Sequence, residues 1–188
     1  MHDSIGRWRV RSCAMASSTT QRAEVVTRLA TIDDAHAIRA IYNHEVENHT
    51  TTLDLVPRTL EDQRTWIAQR SGAFAAIVAV LKATPESVVG FASMSPYRER
   101  AAYSTTIENS VYVARDQAGL GIGRCLMDEL IATARGSGFH SMIARVEATG
   151  DASRALHRSC GFELIGVERQ VGRKFGRWLD MAVMQLML

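Results

Sequence analysis

Glycines at positions 119, 121 and 123 separate a strand-forming run, Val111, Tyr112 and Val113, from an amphipathic segment. Glycine lacks a Cβ, so the backbone there can take positive φ and bring its N–H groups close to a ligand. Leu126, Met127, Leu130, Ile131 and Ala134 recur at helical spacing, which aims the unpaired N–H groups and positive dipole end of a helix back at the glycines. Strand, glycine turn and helix N-terminus together suit a pyrophosphate. The Rossmann pattern GxGxxG would need glycine at 124, where Arg124 stands, and the chain has no GxxxxGK(S/T) run, so both nucleotide fingerprints are missing. A tight strand-to-helix connection without a ligand is the alternative on this local pattern.

Other elements must position this turn. Before it, Ile107, Asn109, Val111 and Val113 alternate with Glu108, Ser110 and Tyr112, the period of a strand. Upstream, the pattern predicts a strand over 23–31 and a helix over 33–47 with Ile38, Ile41, Tyr42 and Val46 on one face. After a polar loop at 49–57, a second helix spans 59–69, with Thr59 as N-cap and Asp62 completing a capping box. Strands at 74–81 and 88–94 are separated by a loop at 84–87 containing Pro85. Downstream come a strand at 140–146, a short helix at 151–159, and a closing hairpin of 162–171 and 177–188 around a loop at 172–176.

Composition sets outer limits. The 188 residues suit one full-sized domain, read as 23–188 after a disordered, basic extension at 1–22 in which Met15 is an alternative start. A net charge of +2 without a basic aromatic-laced stripe argues against nucleic acid. Cys13, Cys125 and Cys160 are odd in number and widely separated, with no CxxC pair, which indicates neither a disulfide framework nor a zinc site, so no metal is expected and a reducing cytoplasm is the default. Cys125 and Cys160 read as small core residues, and no acyl-enzyme nucleophile is expected. No apolar run reaches the roughly 20 residues of a membrane span.

The element order and the glycine turn resemble the GNAT superfamily of acetyl-CoA-dependent N-acetyltransferases. Within it, IYNHEVENHTTT (41–52), IENSVYV (107–113), GLGIG (119–123), LHRSCGF (156–162) and VGRKFGRWLDMAVMQ (171–185) resemble the phosphinothricin and methionine sulfone acetyltransferase group. The resemblance runs from about Val25 to the C-terminus. It implies an α/β fold, a mixed, mostly antiparallel twisted sheet flanked by about four helices. It also implies acetyl-CoA as co-substrate, a small amine, an amino acid above all, as acceptor, and a homodimer.

The resemblance assigns roles residue by residue. The family signature (Q/R)xxGx(G/A) falls on Ala118, Gly119, Leu120, Gly121, Ile122 and Gly123, with alanine where glutamine or arginine is usual and Arg124 next along to compensate. Main-chain groups of Val111, Tyr112 and Val113 would hold the pantetheine arm like an added strand, the Val113 amide facing the thioester oxygen. Glu108 would deprotonate the attacking ammonium, directly or through water; alternation alone favours a solvent-facing strand glutamate, and the resemblance reverses that. His157 stands where the family places a proton donor, and on residue type alone it is equally a packing histidine. Gly150 replaces an asparagine that contacts the cofactor, while Ser153 matches. Arg98, Arg100 and Tyr103 match positions that relatives use for substrate, the arginines suiting a carboxylate. Acetylation of another amine (a polyamine, an aminoglycoside or a protein N-terminus) and a non-catalytic acyl-CoA sensor are the competing readings.

Overall fold

The computed structural model describes residues 24–70 and 72–188; the extension read at 1–22 and Cys13 lie outside the described residues. Seven strands form one sheet: β1 (Val25–Leu29), β2 (Ala76–Leu81), β3 (Thr84–Pro96), β4 (Thr106–Val113), β5 (Ser141–Glu147), β6 (Glu163–Lys174) and β7 (Arg177–Met187), in the spatial order β1-β2-β3-β4-β5-β7-β6. Every neighbouring pair is antiparallel except β4 with β5. Four helices cover it: α1 (Ala35–Asn48), α2 (Leu60–Ala68), α3 (Ile122–Gly136) and α4 (Asp151–Ser159).

The alternation along β4 divides the core as its sequence requires. Ile107, Val111 and Val113 face α3 and α4, in a cluster with Leu126, Met127, Leu130, Met142 and Met184. Tyr112 turns the other way, onto Phe91, Tyr42 and Ile38 beneath α1 and α2. Leu126 and Leu130 are fully buried, each burial contributing about 2 kcal/mol. The Thr59–Asp62 capping box that opens α2 is present in both directions.

Two expected loops are strand instead. The β2–β3 turn is Lys82 and Ala83, and residues 85–87 form a bulge between the pairs Leu81–Thr84 and Val80–Val88. A bulge tolerates Pro85, which cannot donate to a ladder. In the closing hairpin β6 continues to Lys174, and the turn is Phe175 and Gly176, both at positive φ (49° and 74°), the conformation a two-residue hairpin turn favours. Gly172 is therefore not a turn residue. A Cβ there would lie 2.8 Å from Leu53 Cδ2, so the glycine lets β6 approach the loop after α1.

Candidate active site

Parallel strands β4 and β5 pair only at Thr106–Ser141, Ile107–Met142 and Glu108–Ile143. Beyond Glu108 they part. On its other side β4 stays paired with β3 as far as Gly90–Val113, and the Ala114 N–H donates to the Val89 carbonyl at 2.9 Å. That bond makes Gly90–Val113 a non-hydrogen-bonded pair, so alternate residues of β4, Val111 and Val113 among them, turn their N–H and C=O groups into the gap. An unpaired strand edge lining a cleft is a template for an extended ligand. The gap opens into a cavity of about 920 Å³ that runs between the two faces of the sheet.

The cradle sits at one end of this cavity. Gly121 is the N-cap of α3 at φ 77°, and Gly119 has φ 78°, a left-handed conformation that costs other residues strain. The Ile122 and Gly123 N–H groups that open α3 have no intrahelical acceptor and so can face an anion, whereas the Arg124 N–H donates to the Gly121 carbonyl at 3.0 Å. Two other glycines bring α3 to this place. A Cβ on Gly90 would lie 2.9 Å from the Tyr112 carbonyl oxygen and 3.1 Å from a Leu126 methyl, and one on Gly123 would lie 3.0 Å from a Leu156 methyl. Ala118, Gly119, Gly121, Ile122 and Gly123 line the cavity, whereas the Leu120 side chain faces solvent and is absent from the lining. Arg124 also lines it, with its guanidinium bonded to Asp128 (2.8 Å) and to the Ser159 carbonyl (2.9 Å). Gly150 and Ser153 close the α4 side; the Gly150 N–H donates to the Glu147 carbonyl at 2.8 Å.

Glu108 and His157 stand on opposite faces of β4. The Glu108 carboxylate is half-buried in the cavity on the α1 and α2 face. Burial pushes its pKa up; Arg145 pulls it down, Glu168 adds to the rise and Arg98 lowers it again, with a net upward shift. His157 on α4 lies under the other face and is 2% exposed. Its Nδ1 lies 2.8 Å from the Ser153 carbonyl, to which Nδ1–H donates, and its Nε2 lies 3.1 Å from the Asn109 amide nitrogen, a placement in which Nε2 accepts and the Asn109 Oδ1 is left buried without a partner among the described residues. Burial lowers the imidazole pKa, partly opposed by the Ser153 carbonyl. Both ring nitrogens of His157 are thus engaged by neighbouring groups, Nδ1 by the Ser153 carbonyl and Nε2 by the Asn109 amide. Of the two described cysteines, Cys125 is buried in α3, and burial pushes the Cys160 thiol up.

Another part of the cavity wall comes from residues that sequence reasoning did not single out. Glu45 of α1 is buried and accepts from Arg115 Nε (2.7 Å) and Thr51 Oγ1 (2.6 Å). Burial alone would raise its pKa, but these donors outweigh it and hold the carboxyl below its usual range. The pair joins α1 to the segment after β4. Lys174, 3% exposed, donates to the Thr52 carbonyl (2.9 Å) and the Glu45 carbonyl (3.4 Å), tying the closing hairpin to the same loop. Thr51, Thr52 and Leu53 thus line the cavity at fixed positions.

The expected substrate residues are less gathered. Arg98, Arg100 and Tyr103 lie in the exposed segment between β3 and β4, outside the cavity lining. The Arg98 guanidinium sits over the Tyr97 ring at 5.0 Å, and its charge still reaches Glu108. Arg145, on the same face as Glu108, does line the cavity.

A strand edge left open beside a glycine-capped helix fits the pantetheine and pyrophosphate of coenzyme A. Residues 27–183 match the acetyltransferase (GNAT) domain family, and the chain belongs to it. It is an N-acetyltransferase with acetyl-CoA as co-substrate, which supplies an acetyl group activated as a thioester. It is 42% identical over 161 residues to an L-methionine sulfoximine/L-methionine sulfone acetyltransferase of Pseudomonas paraeruginosa, covering 86% of this chain and 93% of that one. Among solved structures it resembles a ribosomal-protein-alanine N-acetyltransferase of Brucella melitensis (TM-score 0.83, 44% identity, 86% and 99% coverage). It also resembles a phosphinothricin acetyltransferase of Sinorhizobium meliloti in complex with acetyl-CoA (TM-score 0.83, 34% identity, 87% and 88% coverage).

Proposed function

We propose that this enzyme acetylates the amino group of a small amino acid or analogue, of the methionine sulfone, methionine sulfoximine or phosphinothricin type, by direct transfer in a ternary complex. The observation that carries the reading is the placement of Glu108: a half-buried carboxylate with a raised pKa at the fork where the coenzyme edge of β4 meets the acceptor wall. Glu108 takes the ammonium proton, and the neutral amine then attacks the thioester carbonyl. The Val113 N–H, turned into the gap, stabilises the developing oxyanion. Amides of residues 119–123 hold the pyrophosphate. His157 orients Asn109 beside the β4 edge, and the departing thiolate takes its proton from solvent. Arg98, Arg100 and Tyr103 close over the acceptor carboxylate.

A protein N-terminus is the second reading, favoured by the name of the Brucella relative. The deciding experiment is thiol release from acetyl-CoA against methionine sulfone, methionine sulfoximine, phosphinothricin, free amino acids, polyamines and an alanine-starting peptide. Saturable release with the amino acids supports the proposal; release with the peptide alone overturns it.

We read the working unit as a cytoplasmic homodimer. Leu164, Ile165, Val167, Val171 and Trp178 are exposed apolar residues of the closing hairpin, and exposed apolar side chains gathered on one element suit a protein contact. The cysteine count and spacing suit a reducing compartment.

A further inference from the structure

The cavity face that carries Glu108 continues across the sheet. Ile143 is the ladder partner of Glu108, and Arg145, two residues on, projects from the same face of β5. Arg145 and Gly166 are both partners of Val183, so Glu168, two residues beyond Gly166, shares that face as well. Arg145 Nε donates to Glu168 Oε2 at 3.1 Å, and Nη2 donates to the same oxygen. The pair is therefore not a fork-to-fork match: Nη1 of Arg145 and Oε1 of Glu168 are outside it. Both side chains are 36% exposed, and an ion pair this wet is easily exchanged for a better one. With Arg98, whose charge also reaches Glu108 and Glu168, the acceptor end holds two cations and two carboxylates.

An α-amino acid brings an ammonium, which Glu108 matches, and a carboxylate, which the Arg98 and Arg100 segment matches. That leaves one arginine over. Resting on the amino acid reading above, we propose that Arg145 binds an oxyanion at the end of the acceptor's side chain, displacing Glu168. The enzyme then prefers α-amino acids with an anionic side chain, a phosphinate or carboxylate, over neutral ones of the same shape. Glu168 occupies the site when the side chain is neutral, and its repulsion of an incoming anion limits the preference.

Phosphinothricin and methionine sulfone test this directly, because a methylphosphinate and a methyl sulfone have nearly the same shape and differ in charge. The ratio of their kcat/KM values is measured by thiol release for the full-length wild type, Arg145→Met and Glu168→Gln. The wild type is expected to favour phosphinothricin. Arg145→Met lowers the ratio by about 10- to 100-fold, the worth of one charge-assisted hydrogen bond, and Glu168→Gln raises it. An effect of Arg145 on Glu108 alone would change both acceptors equally and cancel in the ratio. Turnover of both compounds with the ratio unmoved by either substitution overturns the assignment of Arg145 and leaves the amino acid reading intact. Turnover of neither overturns both.

Discussion

Glu108 and Ile143 are the last partners of the β4–β5 ladder, so the Glu108 carboxylate stands where the sheet divides. One position back, β4 is paired on both sides; beyond Glu108 it has no β5 partner. The fork explains how one strand can offer a main-chain edge to a coenzyme on one side and an acidic side chain to an amine on the other.

His157 is expected to act by position. An unfolded imidazole titrates near about pH 6.5, and burial puts the folded value lower. The neutral form is thus favoured by folding, so stability is full above the unfolded pKa and falls as pH drops from there toward the folded one. His157→Gln should lower stability at pH 8 by about 1–3 kcal/mol through the lost Asn109 contact and flatten the decline in Tm between pH 7 and 5. An alkaline limb of kcat that disappears in this variant would make His157 the proton donor after all.

Lys174 ties the far end of the chain to the proposed acceptor wall, through the Thr52 and Glu45 carbonyls. Lys174→Met frees that loop. The acceptor KM should rise by about tenfold or more, because small misplacements of a positioning group are costly, while the KM for acetyl-CoA stays unchanged. Equal changes in both constants would show that the lysine only supports the fold.

Gly90 sets the distance between α3 and β4. In Gly90→Ala the new Cβ meets the backbone oxygen of Tyr112 at 2.9 Å, a contact no rotamer relieves. A loss of about 1–3 kcal/mol is expected, together with a raised KM for acetyl-CoA. Gly119→Ala meets nothing within 4 Å and carries only the left-handed strain of about 1–2 kcal/mol. Thermal melts and acetyl-CoA titrations of both should separate a crowded helix start from a strained loop; identical coenzyme affinities would argue against the Gly90 account.

The exposed apolar residues of the closing hairpin predict a dimer in solution. Sedimentation of the wild type should give twice the chain mass, and Val167→Glu should shift it toward monomer. A monomeric wild type would contradict the prediction.

The glycine turn, the alternation of β4 and the α2 capping box were legible in the sequence because each is a local pattern with one physical cause. Pro85 and Gly172 misled for the opposite reason. Both are turn formers by type, yet one sits in a bulge and the other is small because Leu53 packs on it, and only tertiary contact shows that. Glu45, Arg115, Lys174 and Arg145 were invisible for a related reason. Each is a charged residue of ordinary local context, and its partner lies on a different element, from Glu45 with Arg115 to Arg145 with Glu168. Asn109 could have been suspected as a polar residue on the apolar face of β4.

The central claim is that Glu108 is the base of an amino acid N-acetyltransferase, and the pH dependence of thiol release tests it most directly. With methionine sulfone and acetyl-CoA, wild-type kcat/KM should rise through an acid limb above the ordinary carboxylate range, since burial raises the Glu108 pKa. Glu108→Gln should lose that limb and about 10²- to 10⁴-fold of the rate, while folding as well as the wild type at pH 7 because it removes a partly buried charge. A Glu108→Gln enzyme that turns over at the wild-type rate with the same acid limb would contradict the account.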